Sequence, residues 1–185
     1  MLKCNEREGL VYETGWQDKG VWNYFGSFYA HAWLWIGDGQ KAARTMYAMA
    51  NHASPTLVWR EEQPIKSLKS YQMTGDMPHN WASAEFIRLT IHLLALDRGD
   101  ELHLLEGLPP AWTGPGMVTR LDGVATPFGP LAMTLQTDKK GKTATLSVRP
   151  LAPNCQAIVV HLPKGGTQRI SAKRGGRLTF PVARP

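Results

Sequence analysis

Val21-Trp22-Asn23-Tyr24-Phe25-Gly26-Ser27-Phe28-Tyr29-Ala30-His31-Ala32-Trp33-Leu34-Trp35-Ile36-Gly37-Asp38-Gly39 is the stretch that decides the fold. From Val21 to Ile36 it is long enough for a helix and apolar nearly all round. A helix apolar on every face is buried within a larger assembly. Gly37-Asp38-Gly39 breaks it. Asp38 then caps a second helix over about Gln40 to His52, with Ala42, Ala43, Met46, Met49 and Ala50 on its apolar face. The pattern predicts an αα-hairpin with a very short connection.

Downstream, no periodic pattern resumes until Asn80. A connection of about 25 residues is unusual inside a compact domain, and such loops are commonly functional. This one carries Trp59, Glu61, Glu62, Tyr71, Asp76 and His79. A third helix is predicted from about Asn80 to Leu96, with Phe86, Leu89, Leu93 and Leu94 inward, ended by Asp97-Arg98-Gly99-Asp100. Beyond residue 100 the composition turns to Thr, Val, Leu, Pro and Gly. Strands are predicted over Glu101–Leu105, Met117–Leu121, Leu131–Gln136, Ala144–Arg149, Ala157–Leu162, Gln168–Ala172 and Leu178–Val182. Hairpin turns fall at Lys139–Lys142 and Pro163–Gly166. Such short runs with alternating polarity predict an antiparallel β-sandwich. The expected order is an α-rich part, residues 1–100, followed by a β-rich part, residues 101–185: an α+β chain.

Bulk properties exclude several classes. Hydrophobic residues make up 43% of the chain, which is a globular rather than a disordered composition. The net charge of +6 is carried largely by Gly-interleaved turns such as Lys139–Lys142, away from the aromatics, so no nucleic-acid partner is expected. Cys4 and Cys155 lie far apart and are read as free thiols. No histidine pair has zinc-type spacing with a third ligand, so neither metal nor cofactor is expected. No apolar run of about 18 residues occurs and the start lacks an apolar signal core, so no membrane partner is expected. The default location is cytoplasmic; if the chain is a piece of a longer protein, its start carries no address.

The chemistry-bearing residues gather in two segments. Trp59-Arg60-Glu61-Glu62-Gln63 supplies an indole and two carboxylates. Gly75-Asp76-Met77-Pro78-His79-Asn80-Trp81 supplies a carboxylate, an imidazole, an amide and a second indole at the start of the third helix. These are the groups that hold and cleave a sugar. Each also has a structural role open to it: Glu61 and Glu62 as a solvated pair beside Arg60, Asp76 and His79 as helix-start residues, Trp59 and Trp81 as core. Trp16, Trp22, Trp33 and Trp35 are read as core, and His31, His52 and His92 as structural.

Three stretches together resemble the C-terminal end of six-hairpin glycosidases, the group that includes α-L-rhamnosidase-like enzymes. They are Thr56-Leu57-Val58-Trp59-Arg60-Glu61-Glu62, then Gly75 to Phe86, then Asp100-Glu101-Leu102-His103-Leu104-Leu105-Glu106-Gly107-Leu108-Pro109-Pro110-Ala111-Trp112. The resemblance implies a partial (α/α)6 barrel of about three helices followed by a β-sandwich. It implies that the Trp59–Glu62 loop carries the general base, with Glu61 and Glu62 rival candidates because Arg60 intervenes after the Trp. It implies that Trp59, Asp76, His79, Asn80 and Trp81 contact an oligosaccharide or polysaccharide, and that the Leu-Pro-x-x-Trp element links barrel to sandwich. Inverting hydrolysis needs a second, protonated carboxyl group. In the resembled enzymes it lies on an earlier hairpin, so the chain is expected to be inactive alone. Its all-round apolar helix is expected to meet the rest of the barrel or another copy. Two other readings stay open: a saccharide-binding module without chemistry, and a polysaccharide lyase using Tyr71, His79 and Asn80.

Overall fold

The computed structural model describes residues 5–13, 20–65 and 75–182. Cys4, Trp16 and Tyr71 lie outside them. The chain divides into two compact units, Met1–His92 and Leu93–Pro185.

In the first unit, short strands β1 (Glu6–Arg7) and β2 (Leu10–Val11) pair with each other, and β3 (Gly20–Trp22) leads directly into helix α1 (Asn23–Trp35). Asp38 caps helix α2 (Gly39–Asn51), its carboxylate accepting from the Lys41 amide at 2.9 Å. The expected break and cap are both present. Strand β4 (Glu62–Pro64) pairs antiparallel with β3, joining Trp22 to Glu62. The long connection is therefore not wholly irregular. Its polar Glu-Glu-Gln run carries no alternation that would announce a strand. Helix α3 (Asn80–Leu94) follows.

Contacts between α1 and α3 climb both helices together. Tyr24 stacks on Trp81, Ser27 donates to Glu85 at 2.9 Å, and the His31 and His92 rings meet at 2.9 Å. The two helices therefore run parallel, their N-termini at one end, while the short link after α1 makes α2 run back. The face between them is polar inside. Glu85 accepts from Ser27 and from Arg88 at 3.1 and 2.6 Å. His31 Nδ1 donates to the Ser27 carbonyl at 2.8 Å, which leaves Nε2 to accept from His92 Nδ1.

Burial pushes the His31 pKa down to about 4, the chief cause, with smaller like-charge contributions from His92 and Arg88. The unfolded chain takes up this proton near 6.5, and the folded chain holds out to about 4. Between those values the unfolded state binds more protons, so stability is full above the upper value and is lost on acidification, by about 3 kcal/mol at most. Urea unfolding at pH 7.5 and 4 is expected to show this loss, and His31→Gln to remove that share of it; parallel profiles would contradict the assignment.

The second unit opens with β5 (Ala95–Arg98), which pairs with β6 (Glu101–Leu104) across Gly99-Asp100. The sequence pattern predicts the third helix through Leu96, with Asp97–Asp100 as its end. The structure corrects this: Gly99, at φ +63°, makes a tight turn that folds Arg98 back onto Glu101. A short 3-10 turn over Pro110–Thr113 precedes β7 (Val118–Thr126), β8 (Gly129–Thr137), β9 (Thr143–Val148), β10 (Ala157–His161), β11 (Thr167–Ile170) and β12 (Gly176–Pro181).

Two four-stranded sheets result, ordered β11-β10-β6-β5 and β12-β9-β8-β7. The second is antiparallel throughout. The first is not, against expectation, because β10 runs parallel to β6. Parallel neighbours need a long crossover, and here β7, β8 and β9 lie between the two in the chain. Leu102, Leu104, Ile158 and Val160 from the first sheet share one buried cluster with Leu131, Met133, Leu135, Leu146 and Phe180 from the second.

Candidate functional site

The parallel start of α1 and α3 sets the site. Both N-termini present their positive dipole ends on one side of the first unit. Segments 59–64 and 75–79 lie at this end and are stapled together. Arg60 donates to the Gly75 carbonyl at 2.8 Å, and the His79 amide donates to the Trp59 carbonyl at 2.8 Å. Asn23, fully buried as the first residue of α1, holds the acidic segment from the other side. Its side chain donates to the Arg60 carbonyl at 2.7 Å and to Gln63 at 3.2 Å, and its amide donates to the Glu61 carbonyl at 3.2 Å. Gln63 passes the hydrogen bond to His52 at 2.6 Å, and His52 faces Glu8 at 3.2 Å.

Glu61, Asp76 and His79 meet. His79 Nε2 stands 4.0 Å from Glu61 and 4.0 Å from Asp76. The approach depends on Gly75, whose φ is +75° and where a Cβ would collide with the Glu61 side chain. His79 also caps α3, its Nδ1 accepting from the Ala82 amide at 3.2 Å. An accepting Nδ1 places the ring proton on Nε2, so the imidazole turns a donor toward the two carboxylates.

That tautomer decides what the cluster can hold. The three ligand atoms lie within 4.8 Å of one another, close enough to suggest a metal. A metal on Nε2 needs a lone pair there and the proton on Nδ1, and Nδ1 is committed to the helix cap. The donor set as built suits a hydroxyl-bearing ligand better than a cation. A second group, His103, Glu106 and His161, lies in the second unit. There Arg98 grips both Glu106 oxygens at 2.9 and 2.8 Å, so that carboxylate is already neutralised by a guanidinium. Neither group fits a metal as it stands.

An aromatic shelf adjoins the carboxylates. Trp81 stacks on Tyr24 with centroids 4.9 Å apart and planes 16° off parallel, yet is 56% exposed, so its other face is open. Tyr24 also contacts His79 at 5.5 Å. Burial raises the Tyr24 pKa, with further lifting from the Glu61 and Glu62 charges, so the phenol stays protonated beside the acids.

The segments expected to form a site thus do meet, but their members play different parts. Glu61, Asp76, His79 and Trp81 share the end. Asn80 is exposed on the first turn of α3. Glu62 is fully buried, as alternation along an extended segment requires when Glu61 faces out. Trp59 offers no stacking platform: it is 5% exposed, packs on Phe86 at 4.7 Å, and donates to the Met49 carbonyl at 2.7 Å. Its expected contact with sugar is corrected to a framework role. Tyr71 lies outside the described residues. Asn23 and Tyr24 were missed. A lone amide opening an apolar run was a signal for the first; Tyr24 was hidden in the same run.

A scan against protein-family models finds no match for this chain, and a search of characterised proteins finds none either.

Proposed function

We propose that this chain is the C-terminal part of a rhamnosidase-like, inverting glycoside hydrolase, comprising the last helices of an (α/α)6 barrel and a trailing β-sandwich. In this reading Glu61 is the general base, and Asp76, His79, Asn80 and Trp81 bind the sugar. The observation that carries it is the convergence of Glu61 and His79, from segments far apart in sequence, beside the open face of Trp81. The up-down-up course of α1, α2 and α3 supports a stack of helical hairpins. The two sheets around one core support the sandwich.

The roles follow from the geometry. Trp81, backed by the buried Tyr24, offers an apolar ring face for the sugar's C–H side. His79 Nε2–H donates to a sugar hydroxyl. Glu61, partly open where Glu62 is closed, takes a proton from an attacking water. Asp76 is not its acid partner. Inversion needs carboxyl groups roughly 6.5–9.5 Å apart to admit that water, whereas Glu61 and Asp76 oxygens lie within 4.8 Å. In this reading the acid lies on an earlier hairpin, as in the resembled enzymes, and the chain alone binds without turnover.

The test is calorimetric titration of the chain with an aryl α-L-rhamnoside, with aglycone release followed in parallel. Binding without release is expected, weakened about tenfold by Trp81→Ala, since aromatic contacts contribute about 0.5–1.5 kcal/mol beyond area burial. Release of aglycone by the chain alone would overturn the missing-acid assignment. Absence of binding, or binding indifferent to Trp81→Ala, would remove the saccharide site. A non-catalytic saccharide-binding role is the second reading, favoured by the same close spacing of Glu61 and Asp76. It predicts no turnover even when the acid-bearing hairpins are supplied.

A further inference from the structure

The outer face of the antiparallel sheet in the second unit carries a depression of about 270 Å³. We propose that it binds an acidic sugar, a uronosyl residue held by its carboxylate and its hydroxyls. The proposal stands apart from the reading of the first unit.

The sheet register builds the site as two rows across three strands. Arg120 on β7 lies opposite Thr134 on β8, which lies opposite Ser147 on β9. In the next row Asp122 lies opposite Ala132, whose carbonyl accepts from the Arg149 amide at 3.0 Å. All six side chains line the depression. Strand spacing of about 4.8 Å and a two-residue step of about 6.8 Å put the Arg120 and Arg149 backbones roughly 12 Å apart at opposite corners. Two extended arginine side chains can close on a single small ligand across that span. The small Ala132, between the corners, leaves the floor open.

Neither guanidinium forms a hydrogen bond or ion pair with any described residue, although Asp122 stands two residues from Arg120. Among the described residues each keeps its planar fork of donors free, which matches a carboxylate in bidentate fashion. Thr134 and Ser147 add two hydroxyls that both donate and accept. No aromatic ring lines the depression, so recognition here rests on charge and hydrogen bonds rather than on stacking. Asp122 sets the ligand class. Its negative charge opposes a dense polyanion such as a nucleic-acid backbone, which carries a charge about every 1.7 Å, and it accepts from a ligand hydroxyl. A single carboxylate surrounded by hydroxyls satisfies all of these groups.

The experiment is calorimetry on the full chain with trigalacturonate, maltotriose and inorganic sulfate at low and high salt. Trigalacturonate is expected to bind, more weakly at high salt, and maltotriose not to. Arg120→Ala and Arg149→Ala should each weaken binding at least about tenfold, the scale of a lost charge-assisted hydrogen bond. Both should leave the melting temperature unchanged, because neither side chain has a hydrogen-bond or ion-pair partner among the described residues. Asp122→Asn should weaken trigalacturonate and strengthen sulfate. Trp81→Ala should change nothing, which separates this depression from the first unit's site. Equal affinity for maltotriose, indifference to both arginine changes, or sulfate binding as tightly as trigalacturonate would each overturn the proposal.

Discussion

Glu61→Gln is expected to lower kcat by about 10²–10⁴-fold, the usual contribution of a general base, when the chain is assayed with the acid-bearing hairpins that the proposal requires. The amide keeps the shape of the carboxylate but cannot take a proton. KM should move little, because the loss falls in the transition state rather than in the ground state. Glu62→Gln gives the contrast. Its carboxylate is buried in the β3–β4 pair, so the change should register in stability before it registers in chemistry. Steady-state kinetics on the two variants decides between the neighbours. A silent Glu61→Gln beside an inactive, well-folded Glu62→Gln would reverse the assignment and with it the direction of the whole segment.

Leu104→Ala should destabilise the second unit by about 3 kcal/mol, within the 2–5 kcal/mol typical of buried leucine truncations. Leu104 is fully buried in β6, in the cluster to which both sheets contribute. The surrounding strands are tied by their ladders and cannot collapse into the space, so lost burial and a residual cavity add. For a unit of this size the melting temperature should fall by roughly 12–24 °C. Val118→Ala is the control: that side chain is 52% exposed and should cost under about 0.5 kcal/mol. Differential scanning calorimetry reads both. Equal effects would mean that the two sheets do not share a core.

Much of the scaffold was legible in the sequence because local signals agreed with it. Gly37-Asp38-Gly39 stops one helix and caps the next within three residues, so the helical hairpin needs no tertiary information. The alternation in Leu131-Ala132-Met133-Thr134-Leu135 matches a strand with one face buried, and the structure buries each of those leucines and the methionine. What failed depended on strand pairing that the local pattern does not announce. Ala95-Leu96 continues the helical pattern, and only pairing with β6 makes it a strand. The parallel contact of β6 with β10 was invisible because no local signal encodes a crossover.

The site divides the same way. Two polar segments ahead of an apolar helix marked the region, and Glu61, Asp76 and His79 do converge. Which indole would be open could not be read. Trp59 and Trp81 look alike as residues, yet one is tied to the Met49 carbonyl in the interior and the other lies flat on Tyr24 with a free face. The clamp from Asn23 was equally hidden, since its partners, two peptide carbonyls and the Gln63 side chain, belong to a segment about forty residues on.

The central claim is that the acidic segment and the start of α3 form one saccharide pocket. Nitrogen-15 NMR during a titration with L-rhamnose tests it most directly. The indole N–H of Trp81 and the ring Nε2 of His79 are expected to shift together and to fit one dissociation constant. Glu61→Gln should leave that constant little changed, since its part falls in the transition state. Shifts confined to other residues, or Trp81 and His79 titrating with different constants, would contradict a shared pocket.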